Sequence, residues 1–312
     1  MDKEYTASIQ QLEKRLAEVE QRAKHAKTVA REAADAATAP APALPQSASA
    51  FNPAIWLVLN GRYQHFSRSA SETAIPGFSL GEEAAKGEEG LSLGESELGL
   101  GANIDNRFYG RFTASFVSED GVDGIEIEES YIQTLTLPAG LGLKAGRFLP
   151  GIGYLNSSHT HADDFADRPL PYRTMLNGAY KDDGLEMRWL APTDLFVELG
   201  AGLLSGGHYP ANGRSHSGTG SWAAFVHIGG DWNWSNSWKA GLSYLDTDAR
   251  GRESGDEDAP DLFSGHSRLW IVDGVWKWAP DGNPYKHNFK LQGELFLRSE
   301  AGEFNSRGNS SA

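Results

Sequence analysis

The sequence predicts an all-β protein, a transmembrane antiparallel β-barrel that follows an N-terminal α-helical coiled-coil segment. Three observations predict it: strand-like segments near ten residues long recur, each has one apolar and one polar face, and short turns alternate with longer loops. A tilted strand needs about 9 to 11 residues to cross a bilayer, whereas strands of soluble proteins average about five or six. We therefore expect hydrocarbon to cover the apolar faces.

The clearest copy of the repeated unit runs from Asp182 to Leu204. Its two arms flank the turn 191–194, and in each arm apolar residues alternate with polar residues or glycine. Because side chains alternate between faces along a strand, the pattern predicts a hairpin with one apolar and one polar face. A half-buried strand of a soluble sandwich has the same pattern, so the choice between the two depends on how often the unit recurs.

The same alternation predicts eleven strands from residue 54 onward. They are 54–66, 91–103, 107–118, 125–137, 141–148, 182–190, 195–204, 221–231, 237–246, 268–278 and 288–298. Short turns follow the even-numbered strands, and longer or more polar loops follow the odd-numbered ones, at 67–90, 119–124, 149–181, 205–220 and 247–267. This alternation is typical of outer-membrane barrels, with short periplasmic turns and longer external loops. The first strand is then expected to start on the periplasmic side.

Composition limits the alternatives without choosing among them. No run of 18 apolar residues occurs, which excludes a transmembrane helix. A mean hydropathy of -0.45 is compatible with a soluble β protein and with a barrel, since only alternate strand residues of a barrel meet lipid. The absence of cysteine suits a periplasm-exposed chain. A net charge of -14 without basic clusters argues against a nucleic-acid partner.

Residues 1–37 have a different character and predict a coiled-coil helix. Apolar residues there follow alternating spacings of four and three, at Tyr5, Ile9, Leu12, Leu16, Val19, Ala23, Ala26, Ala30 and Ala33. We expect this segment to join protomers in a homo-oligomer, a trimer suiting the barrel. The alternative is a single amphipathic helix lying on another domain. An Ala/Pro-rich linker, 38–50, separates the helix from the predicted barrel, 51–312.

Strand number and chain ends predict an incomplete barrel. Bacterial single-chain barrels have even strand numbers, and an open edge in lipid leaves backbone groups unsatisfied. The polar stretch 300–312 is interpreted as an external loop, so we expect strands to be missing at the C-terminus. No basic n-region with a following apolar h-region precedes the helix, which indicates a mature chain or a fragment.

The polar face of the strands carries charges of both signs, which predicts a water-filled channel without strong ion selectivity. The expected channel-lining residues are Arg62, Arg111, Lys144, Glu186, Arg188, Glu198, Lys239, Asp273, Lys277, Lys290, Glu294 and Arg298. Aromatic residues flank the short turns, as an interfacial girdle requires, although ordinary core tryptophans are the alternative. They are Trp232, Trp234, Trp238, Trp276, Trp278 and Phe289.

The longest predicted loop, 149–181, is the expected constriction of such a channel. Folded inward, it would bring together charged residues of both signs, namely Asp163, Asp164, Asp167, Arg168 and Arg173. The alternative is a surface loop that touches no permeant.

The same loop contains the sequence's best candidate for a metal site. His159 and His161, with Asp163, place two imidazoles and a carboxylate within five residues, and these donors suit zinc. A His-x-His pair in a loop is a weak signal, because exposed loops tolerate histidine freely. No cofactor is therefore predicted beyond a zinc ion at this position.

Catalytic motifs do not support an enzyme. No GxSxG, P-loop, HExxH or dinucleotide fingerprint occurs in a usable context. Ser158, His159 and Asp163 are neighbours in one loop, with no strand to hold a triad in register. We expect a protein that is not an enzyme.

Several strings in the chain resemble a family of proteobacterial outer-membrane porin-like proteins with an N-terminal periplasmic coiled coil. The strings are Phe51–Ile55, Leu91–Leu98, Lys144–Phe148 and Arg168–Arg173, and the similarity covers about residues 51–300. The resemblance implies a full barrel of about sixteen strands. Some members are described as zinc-regulated or as TonB-dependent receptors, but no plug domain is recognisable here, so the resemblance favours a porin.

The sequence thus predicts a passive channel for small hydrophilic solutes or ions in the outer membrane of a Gram-negative bacterium, with its N-terminal segment periplasmic. Its expected partners are outer-membrane lipid and further copies of itself, and the resemblance adds a link to zinc uptake. The alternative function is a soluble or surface β-sandwich adhesin with a coiled-coil stalk. Such an adhesin would purify without detergent.

Overall fold

The computed structural model describes residues 53–67, 89–119, 122–212, 218–254 and 261–306. The chain divides into two units, Met1–Asn52 and Pro53–Ala312, and all described residues belong to the second. The predicted coiled coil (1–37) and linker (38–50) lie outside the described residues.

The described part of the chain is mostly β-structure, as predicted. Its strands are β1 (Ala54–Val58), β2 (Gly61–Gln64), β3 (Gly90–Leu93), β4 (Ser96–Asn103), β5 (Phe108–Glu119), β6 (Val122–Thr134), β7 (Leu141–Phe148), β8 (Asp182–Leu190), β9 (Phe196–Leu204), β10 (Ser221–Asn233), β11 (Asn236–Ser254), β12 (Asp261–Trp278) and β13 (Phe289–Ser306). One short helix, α1 (Leu170–Leu176), lies between β7 and β8, and 3-10 turns occupy Pro138–Gly140, Thr160–Ala162 and Pro280–Gly282. Among the described residues no helix has the length and apolar character needed to cross a membrane.

Eleven strands form one antiparallel sheet in chain order, β1-β4-β5 and onward to β13. The predicted strands 54–66 and 91–103 are each interrupted, so β2 and β3 pair as a separate two-stranded sheet. At the interruption the Gly94 N–H donates a hydrogen bond to the Asn60 carbonyl at 2.8 Å. The sheet edges are β1 and β13, and no ladder joins these two strands within the described ranges. The antiparallel sheet is confirmed, whereas a closed barrel is not seen.

The strands extend farther toward the predicted loops than the sequence indicated. The loop predicted at 247–267 is mostly ladder, since β11 and β12 pair as far as Ser254 and Asp261. The predicted loop at 300–312 is also wrong in its first half, because β13 continues to Ser306 along β12. These strand ends have little apolar alternation, yet their backbone groups still gain partners from the adjacent strand.

A β-bulge in β6 interrupts the alternation of side chains between the two faces of the sheet. Thr113 pairs with Glu129 and Ala114 with Ile127, so Glu128 is the extra residue. A bulge re-aims side chains, and here Glu128 and Glu129 both make contacts on the polar side of the sheet. Glu128 contacts Lys181 at 2.8 Å, and Glu129 contacts Arg111 at 2.9 Å.

Burial across the sheet is inverted relative to a soluble protein. On β8 the apolar Leu185 and Met187 are 52% and 55% exposed, whereas Glu186 between them is 1% exposed. The same holds on other strands, where large apolar side chains are exposed and the polar face is buried. Exposed members of the apolar face include Ile55, Leu57, Leu143, Leu199, Trp222, Ile228, Leu242, Trp270, Val272, Leu291, Leu295 and Leu297.

The segment 149–181 folds back over the polar face of the sheet. Its apolar side chains, among them Ile152, Tyr172 and Leu176, form a buried cluster with Phe225 and Ile271 of the sheet. These residues are almost fully removed from solvent. The core of the described part therefore lies between this segment and the polar face.

Contacts of the segment show that the sheet is curled with the polar face inside. Asp164 contacts Lys290 on the edge strand β13, and Asp167 contacts Arg62 on β2, which continues from the opposite edge. Three residues span at most about 11 Å, whereas a flat sheet of eleven strands separates its edges by about 48 Å. The four side chains of these two ion pairs cannot close that gap even when extended, so the sheet must bend around the segment.

Candidate functional site: a loop on the charged face of the sheet

The concave face of the sheet carries a row of charged residues that strand register brings together. Glu198 pairs with His227, His227 with Gly241, Gly241 with Asp273, and Asp273 with Glu294, each across one strand boundary. Residues directly opposite each other share a face, so one row crosses five strands. The sequence identified most of this row but missed His227, because apolar residues flank it on both sides.

Arg–Glu ion pairs continue the row toward β5. Arg188 contacts Glu186 at 2.6 Å and Glu198 at 3.5 Å, and the guanidinium lies over the Phe225 ring. Farther along the sheet, Arg111 of β5 pairs with Glu129 of β6. Buried charges of this kind are stable only when they are paired, and most of these are.

The predicted channel-lining residues all lie on this face or its extension. Eleven of them are on strands of the large sheet, and Arg62 is on β2 of the two-stranded sheet. Their exposure differs widely. Glu186 and Asp273 are buried, whereas Lys277 beside the short turn is exposed.

Backbone groups of the loop are fastened to side chains of the sheet. The Gly151 N–H donates to Glu186 Oε2 at 3.1 Å, and the Gly153 N–H donates to Ser243 Oγ at 3.0 Å. The Tyr154 N–H donates to Glu294 Oε2 at 3.0 Å. The polar face of the sheet therefore satisfies a loop backbone that is buried from water.

Tyr172 of α1 ties the loop to β13. Its hydroxyl donates to Glu294 Oε2 at 2.7 Å and accepts from the Leu155 N–H at 3.0 Å. Burial, and then the charge of Glu294, raise the pKa of Tyr172 far above its ordinary value. Burial, followed by the charge of Asp182, likewise raises the pKa of Tyr180. Both phenols therefore remain neutral donors.

Lys181, the last residue of the loop, forms an ion pair with Glu128 of the bulged strand β6. Burial by itself lowers the pKa of this amine, but the charge of Glu128, which Lys181 contacts at 2.8 Å, gives a net upward shift. The ammonium form is thereby stabilised where the loop rejoins β8.

Of the five residues predicted to face each other at a constriction, two pair with each other and two contact strands outside the loop. Asp163 pairs with Arg168 within the loop at 2.8 Å. Asp164 contacts Lys290 at 2.6 Å, and Asp167 contacts Arg62 at 3.2 Å. Arg173 is half-buried on α1. The structure thus brings one of the predicted pairs together, and Asp164 and Asp167 link the loop to β13 and β2.

His159 and His161 meet three glutamates that the metal prediction did not include. His159 Nδ1 lies 2.8 Å from Glu97 Oε1, and its Nε2 lies 3.0 Å from Glu129 Oε2. Burial alone lowers the pKa of His159, but the hydrogen bonds and charges of Glu129 and Glu97 raise it to about 10. His159 is therefore an imidazolium between two carboxylates.

His161 stands next to it with a different pair of acids. Its Nδ1 is 3.2 Å from Glu97 Oε1 and 3.7 Å from Glu95 Oε2. Glu95, Glu97 and His161 place one ligand atom each within 4.8 Å of one another. Asp163, predicted as the third ligand, is instead paired with Arg168. Glu95 and Glu97 lie in one of the strings that carry the family resemblance, but their distance in sequence concealed the contact.

Comparison with known proteins gives a similarity to an uncharacterized protein. The chain is 30% identical over 278 residues to an uncharacterized protein of Aquifex aeolicus (strain VF5), an alignment that covers 83% of this chain. The chain spans 58% of the length of that relative. Neither a family model nor a solved structure matches.

Proposed function

We propose that this chain forms a porin-like channel in the outer membrane of a Gram-negative bacterium, through which small hydrophilic solutes or ions diffuse passively. The single observation that carries the proposal is the inverted burial of the sheet. Its apolar face is open, and its charged face is buried beneath the loop 149–181.

An apolar face of this extent needs a cover. Monomeric soluble proteins rarely expose apolar patches larger than a few hundred Å², and burying one large aliphatic side chain is worth about 1.5 to 3 kcal/mol. The exposed apolar side chains occur on strands from β1 to β13. Hydrocarbon is the cover that suits every strand at once.

The proposal requires the edges β1 and β13 to be closed. An unpaired strand edge in lipid leaves backbone groups without partners, at a cost of several kcal/mol each. The resemblance to porin-like proteins implies about sixteen strands, and further strands between the two edges would complete the ring. In such a barrel the curled polar face lines the lumen.

The loop 149–181 would then narrow the lumen. It crosses the concave face and is held by Glu186, Ser243 and Glu294. Because charges of both signs surround it, we infer a constriction that selects by size more than by sign of charge.

The alternative function is a soluble or surface adhesin with a coiled-coil stalk. Its apolar face would need a second protein layer. Within the described residues the second sheet has only β2 and β3, and the apolar side chains of the large sheet remain exposed. That observation favours the channel.

Single-cysteine variants test the proposal directly, because the chain contains no cysteine. Val272→Cys lies on the apolar face, where Val272 is 46% exposed, and Lys239→Cys lies on the polar face. In membranes carrying the full-length protein, a charged maleimide is expected to label Lys239→Cys and to leave Val272→Cys unmodified, since lipid covers it.

The outcome for a water-exposed apolar face is the opposite. Rapid labelling of Val272→Cys by the charged reagent, in a sample that needs no detergent, would support the adhesin. Full-length protein in a planar bilayer tests the pore itself. Membrane insertion without any conductance would overturn the channel.

A further inference from the structure

The cluster of Glu95, Glu97 and His161 has the donors and the spacing of a metal site. Zinc bonds of about 2.0 to 2.2 Å set neighbouring tetrahedral ligand atoms about 3.3 to 3.6 Å apart. The distances from His161 Nδ1 to Glu97 Oε1 and Glu95 Oε2 are 3.2 and 3.7 Å. Small shifts of side chains would therefore bring all three atoms to one ion.

Glu97 provides a second, independent observation. Its side chain is fully buried, and Oε1 faces the imidazoles of His159 and His161, while Oε2 has no hydrogen-bond partner among the described residues. His161 Nδ1 likewise lacks a well-aligned hydrogen bond there. A buried carboxylate oxygen and an imidazole nitrogen without such bonds are available as ligands of a common ion.

Three carboxylates lie close together at this site. Those of Glu95, Glu97 and Glu129 contact the two imidazoles, and Arg111 also contacts Glu129. Buried carboxylates are costly unless they are paired or coordinate a metal, so a divalent ion beside Glu95 and Glu97 would stabilise them.

Neighbouring groups hold the ligands in position. The His161 N–H donates to Glu95 Oε2 at 2.7 Å, and the Thr160 hydroxyl also donates to Glu95. His159 is held by Glu97 and by Glu129. Such outer contacts orient first-shell ligands in known metal sites.

We propose that Glu95, Glu97 and His161 bind a divalent transition-metal ion, and that the bound ion ties the loop 149–181 to the junction of β3 and β4. The imidazole and carboxylate donors suit zinc or a neighbouring first-row metal rather than calcium or magnesium. Three protein ligands leave a coordination position open to water, as in exchangeable sites. Only the effect of the ion on flow through the lumen depends on the proposed channel.

Titration of the full-length protein in detergent with Zn²⁺ or Co²⁺ tests the site without any channel measurement. We expect one ion per chain, a visible Co²⁺ absorption band from nitrogen and oxygen ligands, and a higher melting temperature with Zn²⁺. His161→Ala and Glu97→Gln should each weaken binding by at least about 100-fold and abolish the Co²⁺ band.

His266→Ala is the matched control. His266 contacts Asp248 at 2.7 Å in an exposed pair outside the three-ligand group, so this variant should bind both ions normally. Should Glu97→Gln fail to fold, Glu95→Gln, whose side chain is 22% exposed, replaces it. Metal binding that survives His161→Ala, or no saturable binding of Zn²⁺ by the folded wild-type protein, would overturn the proposal. The titration measures metal binding and does not depend on whether the protein conducts. The metal site and the channel can therefore fail separately.

Discussion

At the scale of single residues, buried acids of the sheet act as anchor points for the loop. Glu294 accepts hydrogen bonds from the Tyr172 hydroxyl and the Tyr154 N–H, and Glu186 accepts one from the Gly151 N–H. A buried carboxylate has several acceptor sites, and leaving one unsatisfied is costly. The loop supplies donors at these points, which explains why it has little regular structure and is nevertheless well packed.

Tyr172→Phe should destabilise this arrangement in a pH-dependent way. Loss of the hydroxyl removes a bond to a buried carboxylate, so the free energy of unfolding should fall by about 1 to 3 kcal/mol at neutral pH. The wild-type phenol ionises near pH 10 when unfolded, whereas burial and Glu294 raise its pKa in the folded protein.

The sign of the pH effect follows from that difference. Below pH 10 the hydroxyl is neutral in both states and contributes no pH dependence. Above pH 10 only the unfolded state loses the proton, so wild-type stability should decline by about 1.4 kcal/mol per pH unit from this residue. Unfolding of both proteins between pH 8 and 11 checks this. Equal slopes for wild type and Tyr172→Phe would contradict the assignment.

Residue-level prediction from sequence succeeded where spacing is local and failed where the topology joins distant segments. The His-x-His spacing singled out His159 and His161, whose rings lie side by side with centroids 5.8 Å apart. Their acidic partners come from β4, β6 and the residues before β4, and no local pattern connects those to the loop. Proximity in sequence suggested Asp163 as the third metal ligand. In the structure its carboxylate pairs with Arg168.

At the scale of elements, glycines on the concave face make room for aromatic rings. The Phe225 ring of β10 lies over Gly200 of β9, where an added Cβ would meet ring atoms at 2.0 Å. The same ring borders Gly151 of the loop. Strands β9 and β10 and the loop thus share one tightly packed contact.

Gly200→Ala should therefore loosen the loop. The methyl group displaces Phe225 toward Gly151, and overpacking of this kind costs about 1 to 3 kcal/mol. Thermal unfolding in detergent and proteolysis of the loop both measure the effect. Gly293→Ala on β13 is the control, because no atom lies within 4 Å of its added Cβ. A loss of stability as large in the control as at Gly200 would refute the packing argument.

Element-level prediction worked because alternation of apolar and polar residues has a simple physical origin. It identified the strands of the large sheet, the facing of most of them and the short turns. It failed at the ends of β11, β12 and β13, where the alternation of apolar and polar residues disappears while backbone pairing continues. It also could not foresee the bulge at Glu128, which interrupts the period of two.

At the scale of the whole described sheet, the loop links the edge strand β13 to β2, the strand that follows the other edge strand, β1. Asp164 reaches Lys290 on β13, and Asp167 reaches Arg62 on β2. Both pairs are partly exposed, and such ion pairs contribute only about 0 to 1 kcal/mol each. Their role in the proposed channel is then to fix the position of the loop more than to stabilise the fold.

The double variant Asp164→Asn and Asp167→Asn tests that role in the proposed channel. Removing both ion pairs should change the melting temperature little, because the buried hydrogen bonds of the loop to Glu186 and Glu294 remain. The tip of the loop should gain freedom. Single-channel recordings of the full-length protein should then show a higher mean conductance and more frequent fluctuations than wild type. Asp248→Asn, which removes an exposed carboxylate paired with His266 outside the loop, serves as the control and should leave the traces unchanged. Identical conductance and noise in wild type and the double variant would mean that the segment 149–181 does not limit flow. The charged walls of the sheet alone would then have to set the width of the pore.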